Sequence, residues 1–576
     1  MSFFAHLLAS YSPWEPKLWT TLPGYHRRDF FSDLIAGITV GLVALPMAMA
    51  FGIASGVTPQ AGLYTAIVGG FLISFLGGSK VQIGGPTGAF VVIVAGILAK
   101  HGLSGLFMVT MMAGVILLFL GFTGLGAAVR FIPRPIVIGF TNGIALLIAS
   151  TQIKDFFGLT MNQNPSEFFA RMRALGDHIG TTNLTALAVG LGSLALIIFI
   201  PKLFPRVPGS IVALLAATLV AAVFHLPLET IGSKFGGISR ALPPIHVPQF
   251  RADLILPLLP SALTVAILAA LESLLSAVVA DSMSGDRHNS NAELVAQGFA
   301  NIASPLVGGI PVTGAIARTA TNIRSGAKTP VAGMIHALVL LGVVLVLAPL
   351  ARFVPMATLA AVLFVVAYNM GEWREIGSIV RLGAADRSVW FITFALTVMA
   401  DLTVAVEVGM ALAALLYIYR VAQTTTVGVL TPEDVEDARP HQLQGQQVPP
   451  YVTILRIHGP FLFGATEKLL EETADLSKYA PIVILRLRHM TAIDATGLHG
   501  LETLADRLKK SGRTLVLCGA RHQPAKMLQR ADFIEHIGEH NILPHAEAAL
   551  KRAREIQAGF TGLADEVARD LSNAPL

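Results

Sequence analysis

The sequence predicts an all-α polytopic membrane domain of 14 segments, a 7+7 inverted repeat, followed by a C-terminal α/β domain. Three observations predict it. Hydrophobic residues make up 53% of the chain and charged residues 13%, with mean hydropathy +0.66, which excludes an ordinary water-soluble protein. The apolar segments end near Arg420, after which the chain turns polar and charged, so a second domain of different solvent preference follows. Finally, Gly84-Gly-Pro-Thr-Gly-Ala-Phe90 and Gly309-Ile-Pro-Val-Thr-Gly-Ala-Ile-Ala-Arg318 repeat one phrase far apart in the chain. Each opens a helix of about 15 residues, short of the roughly 20 that a full span needs. Paired short segments broken by Gly and Pro, placed alike in two halves, point to a transporter's binding site.

The formal net charge of +5 is accounted for by bases near the ends of membrane helices, and no nucleic-acid partner is implied. A single cysteine, Cys518, rules out an intrachain disulfide and a cysteine metal cluster; it reads as a core residue of the C-terminal domain. Residues 1–30, with Trp14, Trp19 and His26-Arg-Arg28, lack the pattern of a signal peptide and read as a cytoplasmic arm near the lipid headgroups.

The transmembrane domain is expected over 31–425. No charge occurs between Asp33 and Lys80, room for two segments parted near 56–59. A short helix over 86–100 follows, then 103–124, then a segment after Pro133-Arg-Pro135. A polar loop at 154–182 precedes segments 183–200 and 207–225, the last of the first seven. After a second loop to Asp253, the other seven are 257–280, 291–307, the short 313–326, 329–350, 355–370, 388–400 and 402–419. Arg130-Phe-Ile-Pro133 and Arg352-Phe-Val-Pro355 recur at nearly the offset of the Thr-Gly-Ala phrases, each before the fifth segment of its half. An odd number of spans per half makes the halves inverted. With the N-terminus inside, Lys80, Arg130, Arg134, Lys202, Arg206, Arg324, Lys328, Arg374 and Arg381 fall on the cytoplasmic side, as positively charged loops do.

A linker is expected over 426–449, a C-terminal domain over 450–556 and a tail over 557–576. Strands are read at 452–457, 460–463, 482–487 and 514–518. Helices are read at 466–476, capped by Thr466, and at 494–510. Strands alternating with helices indicate a small α/β layer.

The two broken helices carry the candidate site. A helix start leaves up to four N–H groups unpaired and bears roughly half a positive charge, so two starts that face one another make an anion site. The cradle is assigned to the N–H groups of Thr87, Gly88, Ala89 and Phe90 and of Thr313, Gly314, Ala315, Ile316 and Ala317. Arg318 adds a lasting positive charge. It either compensates a bound anion or is a helix-end arginine paired with a lipid phosphate or with an acid such as Glu272; a cation at mid-span costs about 2.5–3.5 kcal/mol on insertion scales, so such residues are usually kept for a purpose. Glu272 lies inside an apolar helix, where burial disfavours the charged carboxylate. It is the candidate coupling residue for a proton, possibly for sodium as a cation ligand; its bland reading is a neutral or arginine-paired structural acid. His336 reads as a packing residue, and Asp401 and Glu407 as end or interface charges.

These phrases resemble the SulP (sulfate permease) family of anion transporters with a C-terminal STAS domain. The matching residues are Leu45-Pro-Met-Ala-Met-Ala50, Ile83-Gly-Gly-Pro86, Ala270-Leu-Glu-Ser-Leu274, Ala315-Ile-Ala-Arg318 and Ile493-Asp-Ala-Thr-Gly497. The wording around Glu272 and Arg318 is similar to bacterial members that carry C4-dicarboxylates. The resemblance implies a uracil-permease-like fold in which segments 1–4 and 8–11 form a core domain and segments 5–7 and 12–14 a gate domain. It implies an elevator motion, substrate held between the third and tenth helices, and Met47 and Phe51 as apolar walls. It also implies a homodimer through gate and STAS domains. Relatives carry serines where this chain has Ala315 and Ala317, which leaves the site to backbone, Arg318, Thr87 and Thr313. Alanine at 495 removes the serine that soluble STAS proteins phosphorylate, and Thr496 reads as a helix cap.

No Walker motif, metal cluster or nucleophile–base arrangement suggests an enzyme, and no cofactor is implied beyond a coupling ion. The leading reading is a secondary active anion transporter of the inner cell membrane, N-terminus and STAS domain cytoplasmic, taking up a dicarboxylate of the fumarate and succinate class, or sulfate, with protons. A sodium-coupled bicarbonate transporter or anion exchanger stands second. An anion-sensing membrane scaffold that signals through STAS is the reading from another class.

Overall fold

In the computed structural model the described residues are 14–124, 133–161, 165, 167–204, 207–243, 245, 251–381, 383–400, 402–429, 448–531 and 533–572. They form two compact units, Met1–Ala413 and Ala414–Leu576.

In the first unit α1 (Arg27–Ala54) turns into α2 (Pro59–Leu76), where the Thr58 hydroxyl caps the start by accepting the Ala61 N–H. A π turn at Thr65–Gly69 interrupts α2, an irregularity frequent at functional sites. It lets the Thr65 hydroxyl accept the distant Ile310 N–H at 2.7 Å. The next helical run, Gly88–Thr123, breaks at Gly102, whose φ of 66° and ψ of −173° are not helical; glycine adopts that φ without the penalty a Cβ would bring. The break separates a short α3 (88–101) from α4 (103–123). Then come α5 (Arg134–Phe157), α6 (Leu184–Leu203) and α7 (Gly209–Phe224). The second half repeats the series with α8 (Ile255–Ser284), α9 (Ser290–Leu306), α10 (Ile316–Arg324), α11 (Val331–Ala351), α12 (Met356–Met370), α13 (Ala384–Met399) and α14 (Leu402–Thr424). Asn183 and Asn289 cap α6 and α9, each accepting two backbone N–H groups. Among the described residues 8 helices are long and apolar enough to cross a membrane.

Four differences from the expected layout stand out. The loop at 154–182 holds a helix, Phe168–Asp177. A second helix, Trp373–Arg381, lies between α12 and α13. The arm ends earlier than residue 30, because α1 begins at Arg27. The α10 helix begins at Ile316 and not Thr313, because Thr313 and Gly314 are extended in a strand pairing that sequence spacing could not show. Arg130, Arg206 and Asp401 lie outside the described residues, as does the side chain of Glu407.

The helices pack in two groups. The α1 helix lies on α11, α9 on α3 and α4, and α8 on α3, α4 and α10; elsewhere α5 lies on α12 and α13, and α6 on α7 and α12. Inside the first group Asp33 of α1 is fully buried and its Oδ1 accepts the N–H groups of Lys328 at 2.6 Å and Thr329 at 3.1 Å, just before α11. That carboxylate supplies the acceptor that a helix start requires.

In the second unit five strands run in the order β3-β4-β5-β6-β7 (Thr426–Val429, Val452–Phe461, Ile482–Ile493, Thr514–Cys518 and Ile542–Leu543). The last four are parallel and β3 is antiparallel to β4. Leu455, Leu485 and Leu517 face the helix α16 (Ala495–Lys510), past the shorter α15 (Thr466–Glu472). Ile454, Ile484 and Cys518 face α18 (Ala546–Ser572), while Leu528 of α17 (His522–Arg530) packs with the first set of leucines. Burial pushes the Cys518 thiol up to about 11, which keeps it an unreactive core residue. The two strands expected at 452–463 are one, β4; β3 occupies the start of the expected linker, and α18 runs through the expected boundary at 556 into the tail. Neither threonine is a cap. Asp494 caps α16 by accepting the Gly497 N–H at 2.7 Å, which leaves Thr496 inside the helix, and the Thr466 hydroxyl donates to the Phe463 carbonyl. The remainder of the linker, 430–447, lies outside the described residues.

Candidate functional site

The site begins with a short antiparallel pairing. Strand β1 (Gly84–Gly85) precedes α3, β2 (Thr313–Gly314) precedes α10, and Gly84 lies opposite Gly314 while Gly85 lies opposite Thr313. Two broken helices related by an inverted repeat present exactly opposed strands, so their unpaired backbone can pair instead of meeting water. Neighbouring groups complete the pairing. The Ala315 N–H donates to the Ile83 carbonyl at 2.8 Å, and the Ile83 N–H donates to the Thr319 hydroxyl at 3.0 Å. On the other edge Asn301 of α9 stands in for a strand: its Oδ1 accepts the Val312 N–H at 3.0 Å and its Nδ2 donates to the Val312 carbonyl at 2.8 Å.

This scaffold fixes the two helix starts. At each, no side chain caps the first turn: Thr87 precedes α3 and Ala315 precedes α10 without a capping bond. Two N–H groups assigned to the cradle are spent within the scaffold, that of Phe90 on the Thr87 carbonyl at 3.3 Å and that of Ala315 on the Ile83 carbonyl; the other N–H groups of the first turns have no capping side chain and are left for another acceptor. The Thr87 hydroxyl is engaged elsewhere, donating to Glu272 Oε2 at 2.6 Å. Arg318 is 2% exposed; its Nη2 donates to the Pro86 carbonyl, the residue just before Thr87. Its Nη1 has no partner among the described residues. The guanidinium of one half thus reaches the helix start of the other, with a donor to spare.

One cavity of about 1210 Å³ adjoins this arrangement. It is lined by Thr87, Gly88, Glu272, Gly314, Ala315, Ile316, Ala317 and Arg318, with Met47 and Phe51 on the α1 wall. Three expected residues do not line it. Ala89 and Phe90 are 1% and 0% exposed and pack in the hydrophobic core, because the helix turns them away from the cavity. Thr313 sends its hydroxyl to the Ala269 carbonyl at 2.9 Å, a tie to α8. Glu272, expected to be remote from water, is half-buried and faces the cavity. His336 is fully buried, with neither ring nitrogen partnered among the described residues.

Sequence reading missed Thr321 and Arg324 of α10, Ser325 just after it, and Asn369 and Glu372 at the end of α12, all on the cavity wall. The signal for the first group was present: positions 318, 321 and 325 share a helix face, and all are polar. The remaining lining comes from the N-terminal parts of α1, α5 and α7 and the C-terminal parts of α6, α8, α10 and α12. In an inverted arrangement these ends share one face of the membrane, so the cavity extends from the two helix starts toward that face. Backbone donors and a guanidinium at its inner end, with apolar walls around them, suit a small anion.

Comparison with known proteins agrees. The sulfate permease family profile matches residues 30–393 and the STAS domain profile residues 446–549. The chain is 42% identical over 524 residues to "Putative sulfate transporter YvdB" of Bacillus subtilis (strain 168), covering 91% of this chain and 97% of that one. It is 30% identical over 555 residues to the bicarbonate transporter BicA of Picosynechococcus sp., covering 92% and 95%. A solved structure of SLC26A9 superposes with TM-score 0.84 at 20% identity, covering 93% of this chain and 92% of that one, a likeness of fold. The chain belongs to the sulfate permease family of membrane anion transporters, with a STAS domain on its C-terminal side.

Proposed function

We propose that this protein is a secondary active transporter that binds a small oxyanion between the starts of α3 and α10, and that Glu272 carries the coupling proton. The observation behind this reading is the uncapped pair of helix starts, held face to face by β1 and β2, with the spare Nη1 of Arg318 beside them. The two backbone starts and the guanidinium are a positive site with a competing negative group beside it, Glu272, which is bonded to Thr87 at the start of α3; the other acid on the cavity wall, Glu372, lies at the end of α12. A proton on Glu272 removes that competition as the anion arrives. The Thr87–Glu272 hydrogen bond ties the protonation state of α8 to the start of α3, so each would sense the other.

In this reading α1–α4 and α8–α11 move as a core against the gate helices α5–α7 and α12–α14, an elevator that carries the site across the bilayer. The cavity opens toward the side that bears Arg134, Lys202, Arg324 and Arg374, which the positive-inside rule makes cytoplasmic; the N-terminus and STAS domain lie on that side of the inner membrane. Two copies associate through gate and STAS domains. The substrate is a dicarboxylate of the fumarate and succinate class or sulfate. A second reading is bicarbonate taken up with sodium or exchanged for another anion; the resemblance to the bicarbonate transporter BicA favours bicarbonate as the substrate.

The deciding experiment is uptake of labelled fumarate, succinate, sulfate and bicarbonate into proteoliposomes, each under a pH gradient and under a sodium gradient. Accumulation of fumarate, succinate or sulfate driven by acid outside supports the proposal. Accumulation that follows sodium and ignores pH selects the second reading. Anion binding without flux in any arm identifies a sensor and ends both.

A further inference from the structure

Besides Asp33, a second fully buried acid lies outside the cavity lining. Glu293, in the first turn of α9, is 0% exposed, as are Gln297 one turn on and Ser273 of α8; Gln82, just before β1, is 3% exposed. Glu293 Oε2 accepts the Gly78 N–H at 2.9 Å. Its Oε1 accepts the Ser273 hydroxyl at 3.2 Å and Gln297 Nε2 at 3.1 Å. Gln297 Nε2 also donates to Ser273 Oγ at 2.8 Å. Gln82 Nε2 donates to the Ser273 carbonyl at 3.0 Å and to Ser273 Oγ at 3.1 Å.

The donors in this cluster are all spent. Each amide nitrogen has two N–H bonds and makes two hydrogen bonds; the hydroxyl and the Gly78 N–H make one each. Acceptors are left over. Gln82 Oε1 and Gln297 Oε1 have no partner among the described residues, although buried amide oxygens nearly always find one. Turning an amide over would move the orphan to its nitrogen and not remove it. None of the carboxylate's hydrogen-bond partners carries a charge. The cluster therefore combines a buried carboxylate, hydrogen-bonded only to neutral groups and with the His288 imidazole as a charged neighbour, with unpartnered amide oxygens on the two glutamines that bond one hydroxyl. Its hydrogen-bonding shell is short of one positive charge.

We propose that this cluster binds a monovalent alkali cation, held by Glu293 together with the unpartnered side-chain oxygens of Gln82 and Gln297. Hard oxygen ligands suit such an ion. One carboxylate balances one charge, whereas a divalent ion would leave net charge buried, which is costly without a partner. The position gives the ion a consequence. Gln82 packs against Gly314, where an added Cβ would run into its amide. An ion that fixes Gln82 thereby braces β2 from behind, on the side away from the substrate. The cation is thus a resident brace for the cradle and distinct from the coupling ion assigned to Glu272.

The test is thermal unfolding of the full-length protein in lipid nanodiscs, titrated with sodium chloride or potassium chloride against choline chloride at equal ionic strength. The expected result is a saturable rise in Tm with sodium or potassium, on the order of 3 °C, and none with choline. Glu293→Gln should abolish the rise and Glu272→Gln should keep it. Gln82→Leu, which keeps the carboxylate, should shift the half-saturating concentration upward, and it serves if Glu293→Gln does not fold. The proposal is overturned if choline equals sodium, if Gln82→Leu titrates like the parent, or if Glu272→Gln alone removes the effect. In that last case the ion belongs to the cavity. Proton coupling at Glu272 can fail in transport assays while this stabilisation persists, so the two proposals fail separately.

Discussion

The starts of α3 and α10 share a backbone and differ in their side chains. Both follow a two-residue strand, both lack a side-chain cap, and the strands pair with each other. Yet α10 brings Arg318, where the repeat offset places Val92 in α3. Likewise α8 brings Glu272, where α1 has Pro46. The α3 start contributes N–H groups, and its Thr87 hydroxyl serves the acid of the other half. An inverted repeat thus supplies the part of a site that backbone can make, a region of positive potential. The side-chain charges at the site, Arg318 and Glu272, come from one half alone, and under the proposed function the means of coupling comes with them.

If that division is right, Arg318→Ala should have the largest effect. Substrate affinity should fall about 100-fold, the ~3 kcal/mol upper range for a hydrogen bond to a charged group, in a protein that remains folded. Val92→Ala should leave affinity unchanged. Binding titrations on both purified variants check this pair, and equal affinities for Arg318→Ala and parent would remove the charge from the site.

Glu272→Gln sharpens the comparison next. It should exchange substrate across the membrane at close to the parent rate and fail to accumulate it under a pH gradient. Exchange and gradient-driven uptake are measured in the same liposomes; normal accumulation would move coupling to another residue.

Two glycines probe the shared backbone. A Cβ at Gly314 would run into the Gln82 amide, whereas one at Gly88 would lie 3.0 Å from Ile148 Cδ1 and 3.1 Å from Met370 Sδ, the ends of side chains that can shift. Gly314→Ala should weaken binding about tenfold, within the 1–3 kcal/mol cost of overpacking. Gly88→Ala should change affinity little and slow transport, because Ile148 and Met370 belong to α5 and α12, gate helices in the proposed elevator. Affinity and rate measured side by side separate the two; a larger loss of affinity at Gly88 would reverse the assignment.

The smallest effects belong to the threonines. Thr87→Val removes the partner of Glu272 and should shift the pH profile of uptake. Thr313→Val removes a tie to the Ala269 carbonyl and should lower stability by about 1 kcal/mol with the profile intact. Indistinguishable pH profiles for the two variants would mean that the Thr87–Glu272 bond plays no part in coupling.

Most of the helical order was legible because membrane spans are written in length and hydropathy, and because Gly102, Pro86 and Pro311 punctuate the runs. Arg318 and Glu272 were legible because charge is rare in such segments. What could not be read depends on distant partners. The start of α10 moved to Ile316 because Thr313 and Gly314 pair with residues of the other half. Ala89 and Phe90 left the site because helix rotation, set by packing against the core, turns them inward. Thr496 was displaced as a cap by Asp494 immediately before the helix, a competition between good caps that composition alone does not decide.

The pairing of Gly84 with Gly314 also sets a schedule during synthesis. At about 5–20 residues per second, the second strand leaves the ribosome on the order of 10–50 s after the first. Throughout that interval β1 and the start of α3 wait in the bilayer with unpaired backbone, and Asp33 waits for the N–H groups of Lys328 and Thr329. The nascent first half is thus an obligatory intermediate whose most polar surfaces are those that later form the site. Ribosome pausing or truncation within the second half would leave them open to insertion and quality-control factors.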